Sequence, residues 1–262
     1  MPISTEKIYA SHFIRCGSTF TTELLSELYD FNGIVYSHFF SDEIYKNQTT
    51  VCTYREPTEW YFSQWNYGRQ RHRGDIYRLI NSKIFRLKHF KRSLGVNYLS
   101  SFKIFLGLFL SIENPKQYYD KNSGFKKYCH LINSKKFKYI MGIRNFHHNQ
   151  GAMFDWLCLA SFSNKRKIQD FQNAEDFLKK NTQINHYIYL HGMDKELIRI
   201  LNKNGYEKKY LEKTLSKLTP NHNRTKDNLD INQFLDDNIT DYINAVESYI
   251  NNLVINRNNI GE

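Results

Sequence analysis

The chain has 262 residues, 40% of them hydrophobic and 16% aromatic, which is enough to bury one substantial core and argues against a disordered chain. Its four cysteines, Cys16, Cys52, Cys129 and Cys158, are spaced for neither a zinc site nor a disulfide framework, so reduced thiols are expected. The formal charge is +11, and residues 69–92 alone hold six arginines and three lysines against one aspartate, a net of +8; such a run serves an anionic partner or simply a solvated helix face.

In chain order, residues 7–14 (KIYASHFI) are a β-prone run, and Leu24, Leu25 and Leu28 fall at helical spacing within residues 21–29. Together they predict strand, tight loop, helix. A second strand is expected at residues 33–36. Residues 49–54 (TTVCTY) are β-branched and end at Arg55-Glu56-Pro57, where Pro57 suits the first turn of a helix carrying Trp60, Tyr61 and Trp65. Residues 138–143 (KYIMGI) and 186–190 (HYIYL) are further strand candidates, the latter followed by a helix over 195–203 that stops near Gly205. From Ile231 to Leu253 apolar residues recur at threes and fours, the stripe of one long amphipathic helix. Strands alternating with helices predict an α/β fold with a mainly parallel sheet. No Pro-, Gly- or Ser-rich linker divides the chain, so a single domain over 1–262 is expected, with a mostly helical insertion around 67–127.

Two turns carry the functional signal. RCGST, residues 15–19, lies between a strand and a helix; Gly17 allows close backbone approach, Ser18 and Thr19 add hydroxyls, and Arg15 supplies a planar cationic fork suited to phosphate oxygens. The same turn also fits an ordinary helix start. It is not a Walker A loop, since the second Gly and the following Lys are absent. VCTYREPTEWYFSQW places Arg55 directly after a strand and Ser63 eight residues on, two helical turns away, where the pair could close on a second phosphate.

These two motifs in this order resemble the 3′-phosphoadenosine-5′-phosphosulfate (PAPS)-dependent sulfotransferases, in particular the carbohydrate group related to heparan sulfate 2-O-sulfotransferase. FIRCGSTF is similar to the family's 5′-phosphosulfate loop, with Arg15 where many members have Lys, and YREPTEWYFSQW is similar to its 3′-phosphate motif. YIYLHGMDKELIRIL, residues 187–201, resembles the family's late strand and helix, and HNRTKDN, residues 222–228, its basic segment before the last helix. The resemblance implies a P-loop-like three-layer domain that transfers a sulfuryl group from PAPS to a hydroxyl of a carbohydrate or small metabolite, with no metal. It implies PAPS contacts from Arg15, Cys16, Gly17, Ser18, Thr19, Phe20, Arg55, Ser63, Arg224 and Lys226.

For the base, VYSHFFSDEIY offers His38, whose side-chain type titrates near neutral pH. The resemblance strengthens it, because the 2-O-sulfotransferase group carries a base histidine in a similar stretch. A lone histidine among aromatics also fits a packed core residue, and Asp42 and Glu43 could orient His38 or act in its place. His147 and His148 are adjacent, so on a helix they point apart and no third ligand is evident. His148 is instead a candidate acceptor contact, with Arg69, Arg71 and Arg73 for an acidic glycan, and Trp65 or Tyr67 either stacks on a sugar or fills the core. A magnesium-dependent kinase and a basic nucleic-acid-binding protein are the alternatives; no nucleic-acid recognition motif supports the latter.

The opening residues lack the basic-then-apolar order of a signal peptide, and the longest greasy stretch, residues 98–112, is interrupted by Lys103. The expectation is a cytoplasmic protein of bacterial or viral type without a membrane span.

Overall fold

The computed structural model describes residues 3–11, 13, 15–34, 48–87, 112, 114–134, 137–138, 151–161, 184–218, 229–248 and 250. Two compact units emerge. One comprises residues 1–56, 154–224 and 248–262, the other residues 57–153 and 225–247.

The first unit is α/β. Its strands are β1 (Ile3–Thr5), β2 (Ile8–Ser11), β3 (Phe31–Ile34), β4 (Thr49–Tyr54) and β5 (His186–Tyr189), in the sheet order β3-β1-β2-β4-β5. β2, β4 and β5 are parallel neighbours, with Ser11 opposite Cys52 and Tyr54 opposite Tyr189. β1 runs antiparallel to both β2 and β3, so four strands share one direction and β1 alone opposes them, which makes the expected mainly parallel sheet a mixed one at that strand. The reason is the short β1, absent from the sequence prediction, which forms a tight antiparallel pair with β2 and separates it from β3. Thr5 Oγ1 anchors that reversal by accepting from the Lys7 and Ile8 N–H groups.

Helix α1 (Ser18–Ser26) turns Leu24 and Leu25 inward, and α6 (Met193–Lys203) turns Leu197, Ile200 and Leu201 inward. With Ile8, Val51 and Ile188 from the sheet and Leu211 from α7 (Lys208–Lys217) they form one core. Removing a fully buried leucine such as Leu24 to alanine costs about 2–5 kcal/mol. α6 ends at Asn204, beside the left-handed Gly205, as the sequence predicts.

The second unit is helical where described. It contains α2 (Pro57–Arg71), α3 (Asp75–Asn81), a helical turn over residues 83–87, a 3-10 turn (Pro115–Tyr118), α4 (Gly124–Asn133), the first two residues of α5 (Ala152–Ser161) and α8 (Asp237–Val246). Pro57 opens α2 as expected. The single C-terminal helix is interrupted instead: a 3-10 turn (Ile231–Gln233) precedes α8, and the Asp236 carboxylate caps α8 by accepting from the Ile239 N–H at 2.7 Å. Asp236 and Asp230 compete with the helix for backbone donors, which stops the apolar stripe from acting as one rod. Lys138 is helical, so the strand expected from 138 does not begin there, and residues 139–143 lie outside the described ones. Among the described residues no helix is long and apolar enough to cross a membrane.

Candidate functional site

Parallel strands with helices following them leave a row of turns at one end of the sheet, the place where open α/β sheets gather ligands. Three such turns meet that description here. β2 leads through residues 15–17 to α1, β4 leads through Arg55 and Glu56 to α2, and β5 leads through residues 190–192 to α6.

The first turn is conformationally special. Arg15 has φ 62° and Gly17 φ 77°, so two left-handed residues bracket Cys16. A left-handed arginine is uncommon and costs of order 1–2 kcal/mol, a cost often found at ligand-binding turns. Gly17 is required twice over. A Cβ there would lie 2.7 Å from Leu190 Cδ1 and 2.9 Å from both Met193 Cε and Met193 Sδ. The β2–α1 turn therefore rests directly on the β5–α6 turn. The Thr21 N–H bonds back to the Gly17 carbonyl, and the N-cap of α1 is a glycine, which carries no capping side chain. The helix dipole favours an anion in front of this helix start.

Cys16 ties the first turn to the second. Its thiol is fully buried, and burial holds its pKa well above the usual thiol value. The Arg55 and Arg15 charges and a hydrogen bond from the Arg55 backbone N–H pull the other way without prevailing. So Cys16 is a neutral thiol facing the β4 turn, and the two arginine-bearing turns converge around it. Any contact from Cys16 to a ligand is left to its backbone. Phe20 is half-buried against the first unit's core, Thr19 is exposed, and Arg15 and Arg55 are half-buried.

Sequence reasoning did not single out the third turn's role. Gly192 has φ 87° and open space around it, so glycine there answers to backbone conformation alone. Tyr54, Tyr189 and His191 form a row of rings, with centroids 5.3 Å apart for Tyr54 and Tyr189 and 5.2 Å apart for Tyr189 and His191. Burial and the nearby Glu56 charge push the Tyr54 hydroxyl up to about 12. The signal was present in the sequence as two tyrosines closing adjacent parallel strands.

The remaining expected residues divide. Ser63 lies two turns into α2, half-buried, in the second unit, whereas Arg55 belongs to the first. Trp65 is fully buried; its Nε1 donates to the Tyr118 carbonyl at 2.9 Å, and its ring packs on Phe62, Phe125 and Phe234. That is a core role, because α2 places Trp65 on the same face as Tyr61, and a ring so enclosed presents no surface to a sugar. Tyr67 is half-buried. Arg69 bonds to Asn66 Oδ1 and lies 5.7 Å over the Trp65 ring, while Arg71 and Arg73 are exposed. His38, Asp42, Glu43, His147, His148, Arg224 and Lys226 lie outside the described residues. Among the described residues no group of three or more His, Cys, Asp or Glu side chains could hold a metal ion.

No protein-family model, curated protein or solved structure matches the chain.

Proposed function

We propose that the chain is a PAPS-dependent sulfotransferase that modifies a hydroxyl of a carbohydrate or small metabolite in the cytoplasm. The observation that carries this is the convergence of the Arg15 and Arg55 turns on Cys16, in front of a glycine-capped helix start. Such a site offers two guanidinium forks and several backbone donors to an anion, which suits a doubly phosphorylated nucleotide. The order of the two motifs along the chain adds to it.

In this proposal the first turn, through Arg15, Gly17, Ser18 and Thr19, holds the 5′-phosphosulfate. Arg55 binds the 3′-phosphate, and Ser63, Arg224 and Lys226 are nucleotide contacts that the motif resemblance implies. His38 takes the proton of the acceptor hydroxyl as its oxygen attacks sulfur. The bond from sulfur to the bridging oxygen breaks, and Arg15 stabilises the charge left on that oxygen. Arg15 supplies a broad fork where a lysine would supply a point charge, so its stabilisation is spread over the phosphate as well.

The test is thermal. Adenosine 3′,5′-bisphosphate is expected to raise the melting temperature well above the effect of equal ATP with magnesium, and Arg55→Ala to remove most of that rise, each shift being read against the same variant without ligand. Equal or reversed shifts would sink the proposal in favour of a kinase.

A further inference from the structure

The stretch that follows α2 carries an unusual surface. Along residues 71–83 the exposed side chains include Arg71, Arg73, Arg78 and Lys83, with Asp75 as the acidic residue among them. α3 is ordinary, since it buries Ile76, Leu79 and Ile80 and turns Asp75 and Arg78 outward. The helical turn over residues 83–87 is inverted. Arg86 is 1% exposed, while Ile84 is 68% and Leu87 41% exposed. Positions 83, 84 and 87 share one helix face, so two large aliphatic side chains stand out beside Lys83.

A helix turn facing water alone has no reason to point isoleucine and leucine outward beside a row of cations. Polyanions account for only half of this surface. Nucleic acid and acidic glycans are met by cations together with stacking aromatics or hydrogen-bonding groups, and neither rewards exposed aliphatic chains. An anionic bilayer rewards both parts: its charged headgroups attract the arginines and lysine, and its acyl boundary takes up the aliphatic pair.

We propose that residues 71–87 form a peripheral docking surface for an anionic lipid bilayer, with Ile84 and Leu87 inserting and Arg71, Arg73, Arg78 and Lys83 facing the headgroups. The surface lies entirely in the second unit, and the proposal stands independently of the sulfotransferase proposal.

The experiment is co-sedimentation of the full chain with vesicles of phosphatidylcholine, with and without phosphatidylglycerol. The protein is expected to sediment with the mixed vesicles, to stay in solution with phosphatidylcholine alone, and to be released by high salt. Each of Arg71→Ala, Arg73→Ala and Lys83→Ala lowers the partition coefficient about fivefold. The double variant Ile84→Ser/Leu87→Ser lowers it about tenfold or more, with an unchanged urea midpoint showing that the fold is intact. No sedimentation with either vesicle, or equal sedimentation with both, overturns the proposal. Undiminished binding by the double variant overturns it too, in favour of a plain polyanion surface.

Discussion

Two helix starts in this molecule use the same residue for opposite ends. α1 begins after Gly17, which packs against Leu190 and Met193 and, as a glycine, has no side chain with which to cap it. α5 begins after Gly151, where a Cβ would fall only 1.8 Å from Glu247 Oε1. There the protein supplies its own acceptor. Glu247 is fully buried and accepts from Tyr61 at 2.5 Å and from the Met153 N–H at 2.9 Å, and Asn133 Oδ1 accepts from the Ala152 N–H at 2.7 Å. Burial, with the Glu247 charge and hydrogen bond behind it, pushes the Tyr61 hydroxyl well above its usual pKa, so Tyr61 remains the donor. One helix start is thus closed by side chains from within, and the other presents its donors beside two arginines.

The largest effect is expected at the closed start. Glu247→Ala leaves the Tyr61 hydroxyl and the Met153 N–H without this acceptor and should cost about 3 kcal/mol or more, read as a lower urea midpoint. A midpoint within error of the parent would mean the carboxylate is not what holds α5. A smaller loss is expected at the open start, where two glycines can be compared. Gly17→Ala and Gly192→Ala pay the same left-handed cost of about 1 kcal/mol, but only Gly17→Ala must also shift the ends of the Leu190 and Met193 side chains, for about 1–2 kcal/mol in all. Equal losses for the two variants would show that the turns do not rest on each other.

The smallest effect is in acid. His130 in the second unit and His186 in the first are each held below the ordinary 6.5, chiefly by burial, with Lys126 acting on His130 and Arg199 on His186. Each binds a proton more readily unfolded than folded, so stability is complete above about pH 6.5 and declines as pH falls below it toward the depressed folded values. His186→Gln should flatten the upper part of that decline in a urea-midpoint series; an unchanged slope would exclude His186 as a contributor.

The open start was legible in the sequence, because its logic is local: a strand, a glycine, hydroxyl residues and a helix follow one another within fifteen residues. So was the helix opened by Pro57. The closed start was not, because its parts, Tyr61, Asn133, Gly151 and Glu247, are far apart in the chain and none is unusual alone. β1 was missed for a related reason. Three residues carry no periodicity, and only pairing with β2 and β3 makes them a strand. Trp65 misled through composition, since an aromatic near a cluster of arginines has the same letters whether it stacks on a ligand or fills a core. Its neighbours Phe125 and Phe234 decide it, and they come from distant helical segments.

The burial of Trp65 has a spectroscopic side. Of the chain's three tryptophans, Trp60 and Trp65 are enclosed in the second unit, while Trp156 is partly exposed in the first. Intrinsic emission on unfolding is therefore weighted toward the second unit, and its red shift reports the loss of that aromatic core. Events at the arginine turns occur in the first unit, with Trp156 as its single intrinsic fluorophore of this kind. A titration followed by tryptophan-selective fluorescence gains sensitivity there if Trp60 and Trp65 are replaced by phenylalanine, leaving Trp156 as the single tryptophan.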